Sequence, residues 1–206
     1  MRLVILGAGE SGIGAALLGK KQGFDVFVSD GGQIKDIYKQ ELAVNHIPFE
    51  EGHHSWDIIL GADEIVKSPG IPEKSELMKK VRERGMKVIS EIELAWRFSK
   101  DKKIIAITGS NGKSTTTALT HHIFRTAGLN AGLVGNIGIS YARQVALEPA
   151  DYYIIEVSSF QLDAPGRPTS GQPRSSRGLT QITCLPGDAA CPQLEALGDG
   201  RVSYLW

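Results

Sequence analysis

The chain has 206 residues, enough for one large domain or two small ones with a genuine core. Its 23 basic and 23 acidic side chains cancel, so bulk charge draws it neither to nucleic acid nor to an anionic membrane, and any anion site has to be local. Two cysteines, Cys184 and Cys191, are too few for a disulfide framework and are not spaced as zinc ligands. The run from Met1 to Gly7 is too short for a signal peptide, and no stretch approaches the roughly 18 apolar residues of a membrane span. A reducing cytoplasm is the expected setting.

Arg2 to Leu6 reads as a short apolar strand, followed at once by Gly7-Ala8-Gly9-Glu10-Ser11-Gly12. A helix is expected from about Ile13 to Gln22, stopped by Gly23, and Asp25 to Asp30 reads as the next strand. This is G-x-G-x-x-G in a βαβ setting, with the acidic Asp30 18 positions after the last glycine. The pattern fits NAD, and it equally fits a Rossmann-like unit that holds another ligand or none. Gly31-Gly32 leaves no nearby arginine for a 2′-phosphate, which disfavours NADP.

Helical spacing follows over Lys35 to Val44, then an extended Ile47-Pro48-Phe49. Glu51-Gly52-His53-His54 reads as a solvated turn, because adjacent histidines on a strand would point to opposite faces and make a poor metal pair. A strand at Asp63 to Lys67 stops in Ser68-Pro69-Gly70-Ile71-Pro72, a tight loop at a strand's carboxyl end, where open α/β sheets keep ligands. Ser75 caps a helix through about Arg84, Lys87 to Ile89 is another strand, and a helix starts at Glu91. The charged run from Ser99 to Lys103 marks a domain boundary.

The apolar run Ile104 to Ile107 then leads into Thr108-Gly109-Ser110-Asn111-Gly112-Lys113-Ser114-Thr115, with a helix expected from Lys113 to about Ala127. The pattern departs from G-x-x-x-x-G-K-[ST] because Ile107 stands at the first glycine. Strand, turn, Gly-Lys-Ser and helix still occur in order. Backbone N–H groups at such a helix start lack partners within the helix and carry the positive end of its dipole, so a phosphate gains hydrogen bonds and charge complementarity there. Lys113 adds a full charge, and the Ser114 hydroxyl suits a Mg²⁺ shell. His121 and His122, adjacent on this helix, do not share a face. Ala131 to Val134 is a strand ending in Gly135-Asn136-Ile137-Gly138, where Asn136 offers an amide to a ligand or serves as a turn residue. Tyr152 to Val157 has a buried-strand pattern interrupted by Glu156, a costly charge unless paired or bound to metal.

Together, Gly7 to Gly12, Ser68 to Pro72, Ser90-Glu91-Ile92-Glu93-Leu94, Thr108 to Thr115, Gly135 to Gly138 and Glu156-Val157-Ser158-Ser159-Phe160-Gln161-Leu162 resemble the Mur ligases of peptidoglycan synthesis, in the D-glutamate-adding branch. The last segment discriminates most. The resemblance implies an α/β architecture, with a Rossmann-like domain over 1–98 that holds a UDP-sugar rather than NAD. The first part of a P-loop-type ATP-binding central domain would follow over 99–163. It implies that Gly9, Ser11 and Gly12 approach the diphosphate, Asp30 the uracil end, and Ser68, Pro69 and Gly70 the nucleotide-sugar. Asn136, Ser158 and Gln161 would face the muramoyl-alanine portion. Thr108 through Thr115 would hold ATP, with Lys113 and Glu156 catalytic and Ser114 and Glu156 on Mg²⁺. The implied substrates are UDP-N-acetylmuramoyl-L-alanine and D-glutamate, joined through an acyl phosphate by a cytoplasmic monomer.

After Asp163 the resemblance stops. Residues 164–206 hold five of the nine prolines, both cysteines, four arginines and no lysine, whereas residues 1–163 use lysine thirteen times. No helix or strand period shows, and an irregular or disordered tail is expected. The abrupt change suggests an out-of-frame or aberrantly joined translation of a longer gene, a reading that genomic sequence through codon 163 tests. The further strands, carbamylated lysine and D-glutamate domain that the resemblance implies find no match in the tail. The expectation is an incomplete form unable to complete ligation. A Rossmann oxidoreductase and a non-catalytic nucleotide-binding module are the alternatives.

Overall fold

The computed structural model describes residues 1–158, 179–184, 193–197 and 201–205. They fall into two compact units: residues 1–98 with 140–148, and residues 99–139 with the chain from Pro149 onward.

The first unit is a parallel sheet of five strands, β1 (Arg2–Leu6), β2 (Asp25–Asp30), β3 (Phe49–Glu51), β4 (Glu64–Lys67) and β5 (Val88–Ser90), in the order β3-β2-β1-β4-β5. Leu3, Val4, Ile5 and Leu6 are fully buried, as a strand covered on both faces requires. The helices are α1 (Glu10–Lys21), α2 (Asp36–Val44), α3 (Trp56–Leu60), α4 (Glu76–Glu83) and α5 (Glu91–Arg97). Ser75 and Ser90 cap α4 and α5, accepting from the Met78 and Glu93 N–H groups. Met78 and Val81 pack with Val4, Leu6, Ile59 and Ile65 into one apolar cluster. Glu64 on β4 is 1% exposed, and its carboxylate accepts from Arg97 at 2.8 Å while Lys87 lies 2.8 Å away. Two cations compensate its desolvation.

A sixth helix of this unit, α7 (Tyr141–Leu147), comes from far along the chain and packs against α1 and α5. Gly14 on α1 makes the approach possible, since a Cβ there would lie 1.9 Å from Ser140 Oγ. Glu91 is 5% exposed and accepts from Ser140 Oγ at 2.9 Å and Ala142 N–H at 2.5 Å. Arg143 donates to Glu10 from Nε at 2.8 Å and to Glu41 from Nη2 at 3.0 Å, tying α1, α2 and α7 together. Neither α3 nor α7 is expected from the sequence. Five-residue Trp56–Leu60 is too short to show a period, and α7 is recognisable mainly by its cap, Ser140, whose Oγ accepts from Arg143 N–H.

In the second unit, β6 (Lys103–Gly109), β7 (Ala131–Gly135) and β8 (Tyr152–Glu156) run parallel, β8 between the other two, and α6 (Lys113–Thr126) packs on all three. Where an irregular tail was expected, three strands are described: β9 (Leu179–Cys184), β10 (Gln193–Leu197) and β11 (Arg201–Leu205). β9 pairs in parallel with β6, from Ile104 opposite Leu179 to Gly109 opposite Cys184, and β10 and β11 form an antiparallel pair. The free edge of β6 offers a row of N–H and C=O groups, and Leu-Thr-Gln-Ile-Thr-Cys is rich in strand formers, so the edge outweighs the missing alternation. No helix among the described residues is long and apolar enough to cross a membrane.

Candidate functional site

Strand order in the first unit reverses at β1, where α1 leaves on one side and β4 returns on the other. Ligands of open α/β sheets settle in the crevice that such a reversal leaves at the carboxyl ends of the strands. A cavity of about 590 Å³ lies there, lined by Gly7, Gly9, Ser11, Asp30, Ser68, Pro69 and Gly70 among others. All but Gly12 of the predicted substrate-contacting residues in this unit therefore reach one cavity. Gly12 serves the turn from behind: a Cβ on it would stand 1.8 Å from the Gly7 carbonyl oxygen. Gly9 is the N-cap of α1 with no side-chain cap bond, and a Cβ on it would meet nothing within 4 Å. The helix start thus opens onto the cavity, as an anion-binding turn must.

Asp30 fixes this turn. Its Oδ2 accepts from Ala8 N–H at 2.6 Å and its Oδ1 from Gly32 N–H at 2.8 Å. Each oxygen keeps a further lone pair for a ligand. Ser68 donates to the Gly7 carbonyl at 3.1 Å, and the loop after it is pinned by Lys67, whose Nζ donates to the Ile71 carbonyl at 2.8 Å. Glu10, Gly31, Gly32, His54, Ile71 and Pro72 also line the cavity and were not among the substrate contacts expected from sequence, His54 having been read as part of a solvated turn. His54 is the most consequential of these. It follows β3, the neighbour of β2 in a parallel sheet, and that placement at the carboxyl end was the available signal.

The second unit carries the glycine-rich turn expected to hold phosphate. β6 delivers Thr108 and Gly109, Gly112 caps α6 with a left-handed backbone, φ 74°, and Lys113 and Ser114 open the helix. Lys113 Nζ donates to the Gly109 carbonyl at 2.8 Å, folding the cation over its own loop. Glu156 at the end of β8 is 4% exposed, and its Oε2 has no hydrogen-bond partner among the described residues. Its backbone carbonyl accepts from Asn136 N–H at 3.0 Å, which holds the Gly135–Gly138 loop beside it. Thus Asn136 and Glu156 come together in the second unit. Ser158 follows two residues after Glu156, and Gln161 lies outside the described residues. His121 turns to the Ala131 carbonyl at 3.2 Å.

Residues 1–90 match the Mur ligase MurD-like N-terminal domain, and residues 107–174 match the Mur ligase middle domain. Over these residues the chain belongs to the Mur ligase family. Among its relatives, UDP-N-acetylmuramoylalanine--D-glutamate ligase of Bacteroides thetaiotaomicron is 62% identical over 162 residues, and that of Cytophaga hutchinsonii 56% over 163. The enzyme of the same name from Chlorobium phaeobacteroides is 42% identical over 167. Each match covers 79% of this chain and 36% of the relative, so the chain spans little more than a third of the curated relatives it matches. A murein peptide ligase of Psychrobacter arcticus superposes with a TM-score of 0.54 at 20% identity, covering 90% of this chain and 42% of that one. The UDP-N-acetylmuramate-alanine ligase of Thermotoga maritima gives 0.51 at 19%, covering 91% and 42%. These two likenesses speak to the fold.

Proposed function

We propose that residues 1–98 form a UDP-sugar-binding domain and residues 99–163 the first part of an ATP-binding domain of a D-glutamate-adding ligase. In that reaction UDP-N-acetylmuramoyl-L-alanine is activated at its alanine carboxylate by phosphoryl transfer from ATP. The amine of D-glutamate attacks the acyl phosphate, and phosphate leaves. The observation that carries the reading is the cavity at the strand-order reversal, whose open helix start and Ser68–Pro72 loop suit a diphosphate joined to a bulky sugar.

Gly9 and Ser11 contact the diphosphate there, Gly12 keeps their turn tight, Asp30 lies at the uracil end, and Ser68, Pro69 and Gly70 border the sugar. In the second unit Thr108 to Thr115 wrap the ATP phosphates. Lys113 swings from the Gly109 carbonyl to the β and γ phosphates and offsets their charge. Asn136, Ser158 and Gln161 serve the muramoyl-alanine end. The donor set also fits Mg²⁺: a buried carboxylate oxygen without a protein partner on Glu156 and the Ser114 hydroxyl in the first turn of α6 are hard oxygen ligands. Bound there, Mg²⁺ would neutralise phosphate charge. On this reading the protein works in the cytoplasm as a monomer.

Lys113→Ala tests the assignment of the two sites. ATP–Mg²⁺ binding to the full chain should fall by at least about tenfold, the scale of one lost charge-assisted contact, while UDP-sugar binding stays unchanged. Loss of both, or of neither, in a folded variant speaks against it. The 206-residue chain is expected to give no ATP- and D-glutamate-dependent product in a turnover assay.

A further inference from the structure

The cavity of the first unit contains a hydrogen-bonding group whose protonation is dictated by its neighbours. Ser29 on β2 is fully buried. Its hydroxyl lies 2.6 Å from Glu50 Oε1 and 2.7 Å from His54 Nδ1. Glu50 also accepts from Ser55, at 2.8 Å from the backbone N–H and 2.5 Å from Oγ. Burial pushes the Glu50 carboxyl up, but these donors outweigh it and leave it below the ordinary value. An ionised carboxylate has no proton to offer, so the single Ser29 proton goes to Glu50 and the Ser29 oxygen is left as an acceptor. His54 Nδ1 therefore carries a hydrogen. In a neutral imidazole the other nitrogen, Nε2, then holds a bare lone pair. Burial pushes the His54 pKa down against the pull of Glu50 and Asp30, with His53 adding to the fall, which keeps the ring neutral at neutral pH.

No hydrogen-bond partner for Nε2 occurs among the described residues, and His54 lines the cavity together with Asp30, Gly31 and Gly32. A Cβ on Gly31 would stand 3.0 Å from Nε2, so the absence of a side chain at 31 leaves that edge of the ring open. Resting on the nucleotide reading above, we propose that His54 is a specificity-determining residue of this cavity: its Nε2 accepts a hydrogen bond from a donor on the nucleoside of a nucleoside diphosphate. Two groups supply that chemistry, the imide N–H of a uracil base and a ribose hydroxyl. A ligand lacking the right donor leaves Nε2 unpaired in a desolvated site, and the discrimination comes from that loss.

The test uses the whole chain. Nitrogen NMR of ¹⁵N-histidine-labelled protein should show a protonated, pyrrole-type Nδ1 and a bare, pyridine-type Nε2 for His54. Calorimetry then compares UDP with N3-methyl-UDP, 2′-deoxy-UDP and 3′-deoxy-UDP. One of the three should bind roughly tenfold more weakly than UDP, and which one identifies the donor. His54→Phe should bind that analogue and UDP alike, while His54→Gln, whose amide oxygen accepts, should keep the preference. A protonated Nε2, equal binding of UDP and all three analogues by the wild type, or undiminished discrimination by a folded His54→Phe overturns the proposal. Failure of the wild type to bind UDP at all sinks the nucleotide reading instead, and the proposal falls with it.

Discussion

Glu156 shows how a single side chain reports on function. A strand-end carboxylate that is 4% exposed with one oxygen unpartnered is costly as it stands. Its isosteric amide should relieve the charge. Glu156→Gln is expected to melt at least as high as the wild type without ligand and to gain less from ATP–Mg²⁺, by about 1–3 kcal/mol. A variant that is less stable without ligand yet gains as much with it would contradict a metal role. His54 makes a different prediction, in pH. Its folded pKa lies below the ordinary 6.5 because burial disfavours the cation. Its contribution to stability is full above that value and lost as pH falls through the lowered folded pKa. The melting-temperature gap between wild type and His54→Phe should therefore shrink on acidification below about pH 6.5. Gly12 is the steric counterpart. With its Cβ position 1.8 Å from the Gly7 oxygen, Gly12→Ala should destabilise by about 1–3 kcal/mol or more, because backbone rather than a flexible side chain has to move.

Among the elements, those with a strong period and clear punctuation were readable. β1 and β2 run over Arg2–Leu6 and Asp25–Asp30, as the apolar runs between glycines indicate. α1 starts at Glu10 rather than near Ile13, because the open turn at Gly9 is already its cap. The Gly109–Lys113 turn was readable as a strand-to-helix junction because strand, turn, lysine and helix are consecutive. Of the cavity walls, Gly9, Asp30 and Ser68 were expected through the family resemblance and His54 was not, since only the sheet order brings its turn beside theirs. α7 is the other element hidden from sequence. Its attachment rests on Glu91, whose pKa burial pushes up against the bonds from Ala142 and Ser140. Glu91→Ala leaves those donors buried and should cost about 1–3 kcal/mol. Glu91→Gln keeps an acceptor and removes the charge. Because the folded pKa is raised, the wild type loses stability as pH rises above about 4.5 toward that value, and the Gln variant should gain on it over that window.

At the level of the whole molecule, each of the two units ends a strand in a glycine-rich turn that opens a helix, and family membership covers residues 1–90 and 107–174. The balanced charge of the chain leaves any anion site to local features. The two helix starts at Gly9 and Gly112 are the local candidates. The G-x-G-x-x-G turn alone did not separate NAD from a UDP-sugar, because its glycines serve any diphosphate that approaches a helix start. We propose the UDP-sugar over NAD on the strength of the Ser68–Pro72 wall and the family match. Thermal denaturation of the full chain, with UDP-N-acetylmuramoyl-L-alanine or NAD added in turn, tests this most directly. Stabilisation by the UDP-sugar is expected, by about 2.7 kcal/mol at a hundred times its dissociation constant, and none by NAD; stabilisation by NAD with no response to the UDP-sugar would contradict the UDP-sugar assignment.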